Sequence, residues 1–428
     1  VSVDRYFRLA GFIEEPGFRE WKNRKRDNAA VTLMMANNQI ALLQNGEAYF
    51  SAIESALDRA IHEIYLEIYI FEDDTTGRRI AEALRRAAVR GVKTHLLIDG
   101  FGSIGLPKTM VKDLETAGVM VLKFRPKTSP WTLRRRRLRR LHRKIVVVDR
   151  KIAFVGGINI NDGMDSHIQP SRCLDYAVSV QGPLVKAIHD SARRVWSRVA
   201  WMRWLPGRGR TNDGYTPSAD PTGLMQAAFL VRNNIRHRRD IEAAYLRAIE
   251  QAQCEVILAN AYFLPGLNFR HALVDAAARG VRVVLLLQGR MDHPLLHYAS
   301  QALYRSFLAA GIEIYEYHKS LLHAKVAVID GHWSTVGSSN LDPFSLLLSL
   351  EANVVVDDEG FAKELKFSLE QAMETGAQRI GEKNWRTQSI GQCLASWLSY
   401  GVVRFMIGIA GYAPGKLPGR AVPFDHAA

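Results

Sequence analysis

Residues 142–159 read HRKIVVVDRKIAFVGGIN and residues 323–340 read HAKVAVIDGHWSTVGSSN. Both fit the pattern H-x-K-x4-D-x6-G-[GS]-x-N without an insertion. In an extended strand, residues two apart project to the same side, so His142 stands with Lys144 and His323 with Lys325. Such groups suit a phosphodiester, which needs positive charge at its non-bridging oxygens, a nucleophile at phosphorus and an acid for the departing oxygen. Lys144, Lys325, Asn159 and Asn340 can form the cradle. One neutral histidine attacks to give a phosphohistidine, and the other, protonated, donates to the leaving group and then serves as base for the incoming hydroxyl. A single such histidine is more often a hydrogen-bonded core residue; two in register with Lys and Asn make coincidence a poor account. Asp149 and Asp330 complete the motif and are carried in the catalytic set, although holding a turn explains them as well.

The motif also implies the elements around it. IVVV and VAVI are continuous apolar runs of the kind found in strands covered on both faces, and IAFVGG and WSTVGSS are expected to return antiparallel after turns at Asp149 and Asp330. These hairpins bring Asn159 and Asn340 back towards the histidine and lysine of their own half. Further out, LPGRGRTNDGYTPSADPTGLM (205–225) is a linker rich in Gly, Pro, Asn and Asp. On either side the same order recurs. AIESALDRA, EIYLEIYIF, RRIAEALRRAAVRG and VKTHLLID precede the first motif; IEAAYLRAIEQA, EVILANAYF, RHALVDAAARG and VRVVLLLQG precede the second. Arg90-Gly91-Val92 and Arg279-Gly280-Val281 fall at matching places. Helices alternating with strands predict two similar α/β halves with parallel or mixed sheets, related by a pseudo-twofold.

A chain of 428 residues, 47% hydrophobic, is long enough for two ordinary cores and excludes disorder over most of its length. Lys plus Arg outnumber Asp plus Glu by 57 to 43, and the net charge of +14 favours a polyanionic partner, nucleic acid or an anionic membrane. Cys173, Cys254 and Cys393 are far apart and odd in number, and read as reduced thiols without metal-ligand spacing. No metal or other cofactor is expected. The first residues, VSVDRYFRLAGFIEE, hold no apolar run of the kind a secretory signal needs. Near the other end, SIGQCLASWLSYGVVRFMIGIAGY is apolar but interrupted by Arg404, which suits an interfacial helix or a helix packed on the body better than a span.

At the two motifs the sequence resembles the phospholipase D superfamily with its duplicated HKD signature, and within it the B-type bacterial cardiolipin synthases. LLQNGEAYF, LEIYIFEDDTTG, RGVKTHLLIDGFGS, DYAVSVQGP, ANAYFLPG and LLHAKVAVIDG share that resemblance, which runs from about Asn38 to Asp358. It implies two α-β-α sandwich halves meeting with both motifs in one cleft. It also implies metal-independent transphosphatidylation: a phosphatidyl group leaves one phosphatidylglycerol, rests on histidine and passes to a second, giving cardiolipin and glycerol. On this resemblance His142 is the nucleophile, His323 the acid and base, and an acidic residue beyond each motif, Asp175 and Glu351, orients the histidine through its other ring nitrogen.

The same chemistry serves hydrolytic phospholipases D, phosphatidylserine synthases and nucleases of the superfamily. The apolar C-terminal segment and the lack of a stacking platform favour lipid over nucleic acid as the partner. The expected partners are anionic phospholipids and a membrane surface, with the protein peripheral on the cytoplasmic face of the bacterial membrane. Six arginines within seven positions, Arg134, Arg135, Arg136, Arg137, Arg139 and Arg140, form an expected basic rim for headgroups. The expected organisation is an N-terminal basic and aromatic segment (1–37), a first half (38–205), a linker (206–224), a second half (225–378) and a C-terminal apolar segment (379–428).

Overall fold

The computed structural model describes residues 33–125, 139–164, 173–202, 221–233, 237–342, 349–381 and 390–409. Arg134 to Arg137, residues 1–32 of the N-terminal segment and 206–220 of the linker lie outside them. The first half contains strands β1 (Met35–Gln44), β2 (Glu63–Ile68), β3 (Lys93–Asp99), β4 (Met120–Phe124), β5 (Arg140–Leu141), β6 (Lys144–Val148), β7 (Ile152–Gly156), β8 (Cys173–Leu174) and β9 (Tyr176–Gln181). Its helices are α1 (Asn45–Asp58), α2 (Thr75–Val89), α3 (Lys108–Thr116) and α4 (Leu184–Met202).

The second half contains β10 (Met225–Arg232), β11 (Glu255–Asn260), β12 (Arg282–Gln288), β13 (Glu313–Tyr317), β14 (Leu321–Leu322), β15 (Lys325–Ile329), β16 (Trp333–Gly337), β17 (Ser349–Asp357) and β18 (Ala377–Arg379). Its helices are α5 (Asp240–Gln251), α6 (Leu267–Ala278), α7 (Pro294–Gln301), α8 (Tyr304–Ala309) and α9 (Glu359–Gly376), followed by α10 (Ile390–Ile409).

The strand order is β18-β13-β12-β11-β15-β16-β17-β10-β1-β9-β7-β6-β2-β3-β4. Apart from β18 it reads alike from either end, so the sheet itself carries the pseudo-twofold, whose axis passes between β1 and β10. These two central strands pair antiparallel, with Met35 opposite Ala227 and Asn38 opposite Met225. Strand β1 of the first half begins at Met35. The register is irregular between Met35 and Asn38, and Asn37 has φ of 65°, a bulge that hides the alternation on which a strand start is read. At the outer edge of the second half β18 pairs antiparallel with β13, Tyr315 opposite Arg379.

Within each half, helix and strand follow from local sequence. Gly91 and Gly280, each at φ of 90°, end α2 and α6 in the left-handed conformation that glycine tolerates best. The arginine before each glycine reaches back to cap the preceding helix, Arg90 to the Leu57 carbonyl at 2.8 Å and Arg279 to the Ile249 carbonyl at 3.0 Å. All of β6 and all of β15 are buried, as their uninterrupted apolar runs require. One face packs on the outer helices, with α1 and α2 around Val146 and Val148, and α5, α6 and α8 around Ala327 and Ile329. The other face joins a shared core in which Ile145, Val147 and Val178 of the first half meet Val326, Val328 and Val354 of the second, with α4 and α9 against them. Burying a side chain of this size contributes about 1.5–3 kcal/mol, so the common core holds the halves in a fixed relation.

Helix α10 lies against α7. Ser396 and Val403 are buried on that contact, whereas Leu394, Trp397, Leu398, Val402 and Phe405 are exposed. Among the described residues, no helix is long and apolar enough to cross a membrane.

Candidate active site

Each motif histidine stands just ahead of a buried strand and is tied by its backbone to the opposite half. Strand β5 pairs parallel with β17, and β14 with β8. The His142 N–H donates to the Leu350 carbonyl (3.0 Å), and the His323 N–H donates to the Leu174 carbonyl (2.9 Å). The next residue in each case is the acid. His142 Nδ1 lies 3.0 Å from Glu351 Oε2, and His323 Nδ1 lies 2.6 Å from Asp175 Oδ2. The pairing is thus crossed: the acid beyond each motif orients the histidine of the other half. With Nδ1–H directed at a carboxylate, each neutral ring keeps its Nε2 lone pair for the cleft.

The two pairs are built differently. Ser338 Oγ donates to Glu351 Oε2 at 2.6 Å. The corresponding residue of the first motif is Gly157, where a Cβ would stand 2.4 Å from Asp175 Oδ1. A serine with a long acid in one half is matched by a glycine with a short acid in the other.

Lys144 and Lys325 are fully buried, and their Nζ groups donate to the carbonyls of His142 (2.9 Å) and of His323. Burial and the neighbouring Lys325 bring the Lys144 ammonium down to about 7, and burial lowers Lys325. Burial also lowers both histidines, against the pull of their carboxylates, and brings His323 down to about 4. The centre therefore holds two neutral imidazoles beside cations that an anion would stabilise. Asn159 and Asn340 are buried, and Asn159 Oδ1 accepts from the Ile70 N–H at 3.3 Å, which leaves its amide NH2 as the group able to meet an anion.

Asp149 and Asp330 are engaged by backbone amides. Asp149 accepts from the N–H groups of Ile61, His62 and Glu63 at 2.7–2.9 Å, and Asp330 from those of Gln253, Cys254 and Glu255 at 2.8–2.9 Å. Each aspartate has positive φ in its hairpin turn and fastens the start of the neighbouring strand, β2 or β11. At about 3.3 Å per residue, each lies roughly 16 Å along the strand from its motif lysine. Arg140 is turned inward rather than standing on an exposed rim, 3.9 Å from Asp99 and over the ring of Phe101, with 14% of its side chain exposed.

Several neighbours were not singled out from sequence. The Tyr69 ring lies edge-on to His142 at 4.9 Å and under Lys144 Nζ at 5.4 Å, and burial pushes its hydroxyl up to about 12. Asp99 Oδ2 accepts from the Leu141 N–H (2.8 Å), and Gln288 Oε1 accepts from the Leu322 N–H (3.0 Å). Each thus fixes the residue just before a motif histidine. Behind β6, Arg143 donates to Glu67 (2.6 Å) and Ser191 (2.9 Å), all three buried. The second half has Ala324 and Ala259 at the matching positions. The signal available in sequence for Asp99 and Gln288 was their matched place at the ends of the strands that follow Arg90-Gly91-Val92 and Arg279-Gly280-Val281.

Two histidine–carboxylate pairs, two buried lysines and two buried asparagines across a pseudo-twofold define a phospholipase D-type fold and centre. The cardiolipin synthase, PLD-like domain family matches residues 53–196 and 245–373. Cardiolipin synthase B of Shigella flexneri is 39% identical over 382 residues, which cover 89% of this chain and 91% of that protein. Cardiolipin synthase B of Escherichia coli strain K12 is 38% identical over the same shares of the two chains. Among solved structures, the phosphatidylserine synthase of Haemophilus influenzae Rd KW20 matches with a TM-score of 0.64 over 90% of this chain and 98% of that one, at 15% identity, a likeness of fold. The chain belongs to the cardiolipin synthase, PLD-like domain family.

Proposed function

We propose that this protein is a cardiolipin synthase that transfers a phosphatidyl group from one phosphatidylglycerol to another, releasing glycerol, without a metal ion. The observation that carries the reading is the crossed pairing of His142 with Glu351 and His323 with Asp175, which sets two imidazoles with the same tautomer around one lysine-lined site.

In the first step His142 Nε2 attacks phosphorus, the bond to the glycerol oxygen breaks, and His323 delivers a proton to that oxygen. Lys144, Lys325, Asn159 and Asn340 stabilise the charge on the non-bridging oxygens. The bound anion offsets the repulsion between His323 and the lysines and raises the pKa of the ring, so that it can carry the proton. In the second step a hydroxyl of the second phosphatidylglycerol loses its proton to His323 and attacks phosphorus, and the electron pair of the P–N bond returns to His142.

The halves 38–205 and 225–378, joined through 206–224, act as one catalytic unit because each supplies the acid for the other. The arginines 134–137 and 139, the segment 1–37 and the exposed apolar face of α10 hold the protein on the anionic cytoplasmic face of the membrane. Arg140 acts beside the site.

The test is incubation of purified protein with labelled phosphatidylglycerol vesicles in excess EDTA, without nucleotide. Labelled cardiolipin, absent with His142→Ala, is expected. Phosphatidic acid alone would make the protein a hydrolase, and no turnover would reject phosphatidylglycerol as donor.

A further inference from the structure

The two halves share a framework but not a charge. Register pairs Asp99 with Phe124 and Gln288 with Tyr317, so Arg125 of the first half corresponds to His318 of the second. Counted back from the motif histidines, Arg139 and Arg140 correspond to Ser320 and Leu321. The first half therefore carries three arginines next to its motif, at positions where the second half has none.

The fold brings these arginines together. Arg125 follows directly on β4 with φ of 48°, a left-handed conformation uncommon for a residue with a Cβ. Its guanidinium lies 5.3 Å from the centre of the Phe124 ring, and that of Arg140 lies 5.0 Å from the centre of the Phe101 ring, so two planar forks rest on aromatic rings. Burial and the charges of Arg139 and Arg140 lower the pKa of Arg125, against the pull of Asp99. One carboxylate cannot balance three guanidiniums, and Asp99 is already engaged. Its Oδ1 accepts from the Phe101 and Gly102 N–H groups (2.8 and 3.0 Å), its Oδ2 accepts from the Leu141 N–H (2.8 Å), and Arg140 Nη1 stays 3.9 Å away. Arg125 Nη1 is buried and has no hydrogen-bond partner among the described residues. A buried cationic N–H without an acceptor, held among like charges, is completed by an anion.

We infer that Arg125, Arg139 and Arg140 form a second anion site, separate from the lysine-lined centre, and that it takes the phosphate of a phospholipid headgroup. The choice of a lipid over free phosphate rests on the membrane reading proposed above. Guanidinium forks match the oxygens of a phosphate in pairs, which a point charge does not. The site is joined to the catalytic segment. Arg140 and Leu141 pair with Ser349 and Leu350 on the strand that carries Glu351, and Asp99 holds the Leu141 N–H. A headgroup held by Arg140 thus fixes the segment from which His142 projects.

The experiment measures cosedimentation of wild type, Arg125→Gln and Arg125→Lys with phosphatidylcholine vesicles that contain either phosphatidic acid or oleic acid, matched for surface charge. The ratio of the two affinities does not depend on how much of a variant folds. Wild type is expected to prefer phosphatidic acid. Arg125→Lys keeps the charge and is expected to hold its affinity for oleic acid vesicles while losing about tenfold on phosphatidic acid, in keeping with loss of a hydrogen bond to a charged group. Arg125→Gln is expected to lose the preference as well. Equal affinities of wild type for the two vesicles, or a preference that survives in both variants, would overturn the inference, because a general surface field reads charge alone. Inorganic phosphate is the second probe. If it raises the melting temperature of wild type but not of Arg125→Lys, while the vesicle preference stays intact in both, the site takes free phosphate and the lipid assignment falls. Neither probe needs turnover, so the expected preference in a protein that forms no cardiolipin would reject the parent reaction and keep the site.

Discussion

His142 Nδ1 meets the Glu351 carboxylate at 3.0 Å across 209 positions of sequence, and the half that supplies the histidine does not supply its acid. Glu351→Gln keeps the volume but removes the charge that selects the Nδ1–H tautomer. Turnover is expected to fall by about 10–100-fold, the usual cost of losing such an orienting partner, with little change in melting temperature. Asp175→Asn is expected to do the same through His323. A loss of melting temperature that matched the loss of activity would make the pair a structural tie only.

Trapping separates the roles of the two rings. Quenched reactions with labelled lipid are expected to leave label on His142 in the His323→Ala variant, which lacks the base for the second step, and none on the protein in His142→Ala. The depression of His323 to about 4 keeps that ring neutral and is the one observation that argues for the reverse order. Label on His323 in the His142→Ala variant would exchange the assignments.

Lys144 gives a pH dependence of binding. Its ammonium, brought down to about 7 by burial and by Lys325, loses its charge as pH rises through that value. KM for a short-chain phosphatidylglycerol, a diester of constant charge over this range, is expected to rise between about pH 6 and 8. Lys144→Met is expected to have a high KM that no longer varies there. A wild-type KM that is flat with pH would show that the lysine stays charged.

His323 contributes to stability with a definite sign. Its folded-state pKa of about 4 lies below the usual value of 6.5, so between these limits the unfolded chain binds more protons and stability falls as pH is lowered. Below about 4 the penalty is constant, and above about 6.5 it is absent. Denaturant midpoints for His323→Asn should fall less between pH 6.5 and 4 than those of the wild type; parallel curves would place the ring's pKa near its usual value.

Asp149→Ala distinguishes fastening from catalysis. It leaves the N–H groups of Ile61, His62 and Glu63 without their carboxylate, a loss expected to cost about 2–4 kcal/mol of stability. Activity per folded molecule should stay within a few-fold. A collapse of turnover in a fully folded variant would show that Asp149 acts in catalysis.

Sequence alone determined what depends on neighbours in the chain. The two-residue period of a strand puts His142 with Lys144 and His323 with Lys325, the apolar runs require strands covered on both faces, and Gly91 and Gly280 end their helices where φ turns positive. The duplication itself carried the α/β halves and their pseudo-twofold. Asp175 and Glu351 entered as orienting acids only through the family resemblance, which did not give the crossed partners. Those are decided by the β1–β10 pairing and the shared core, which bring residues 148 and 209 positions apart into contact. The same holds for the inward turn of Arg140, for Asp99 and Gln288 beneath the histidines, and for the gathering of Arg125 with Arg139 and Arg140. Local periodicity places side chains on a strand, and only the docking of one half on the other decides what those side chains face.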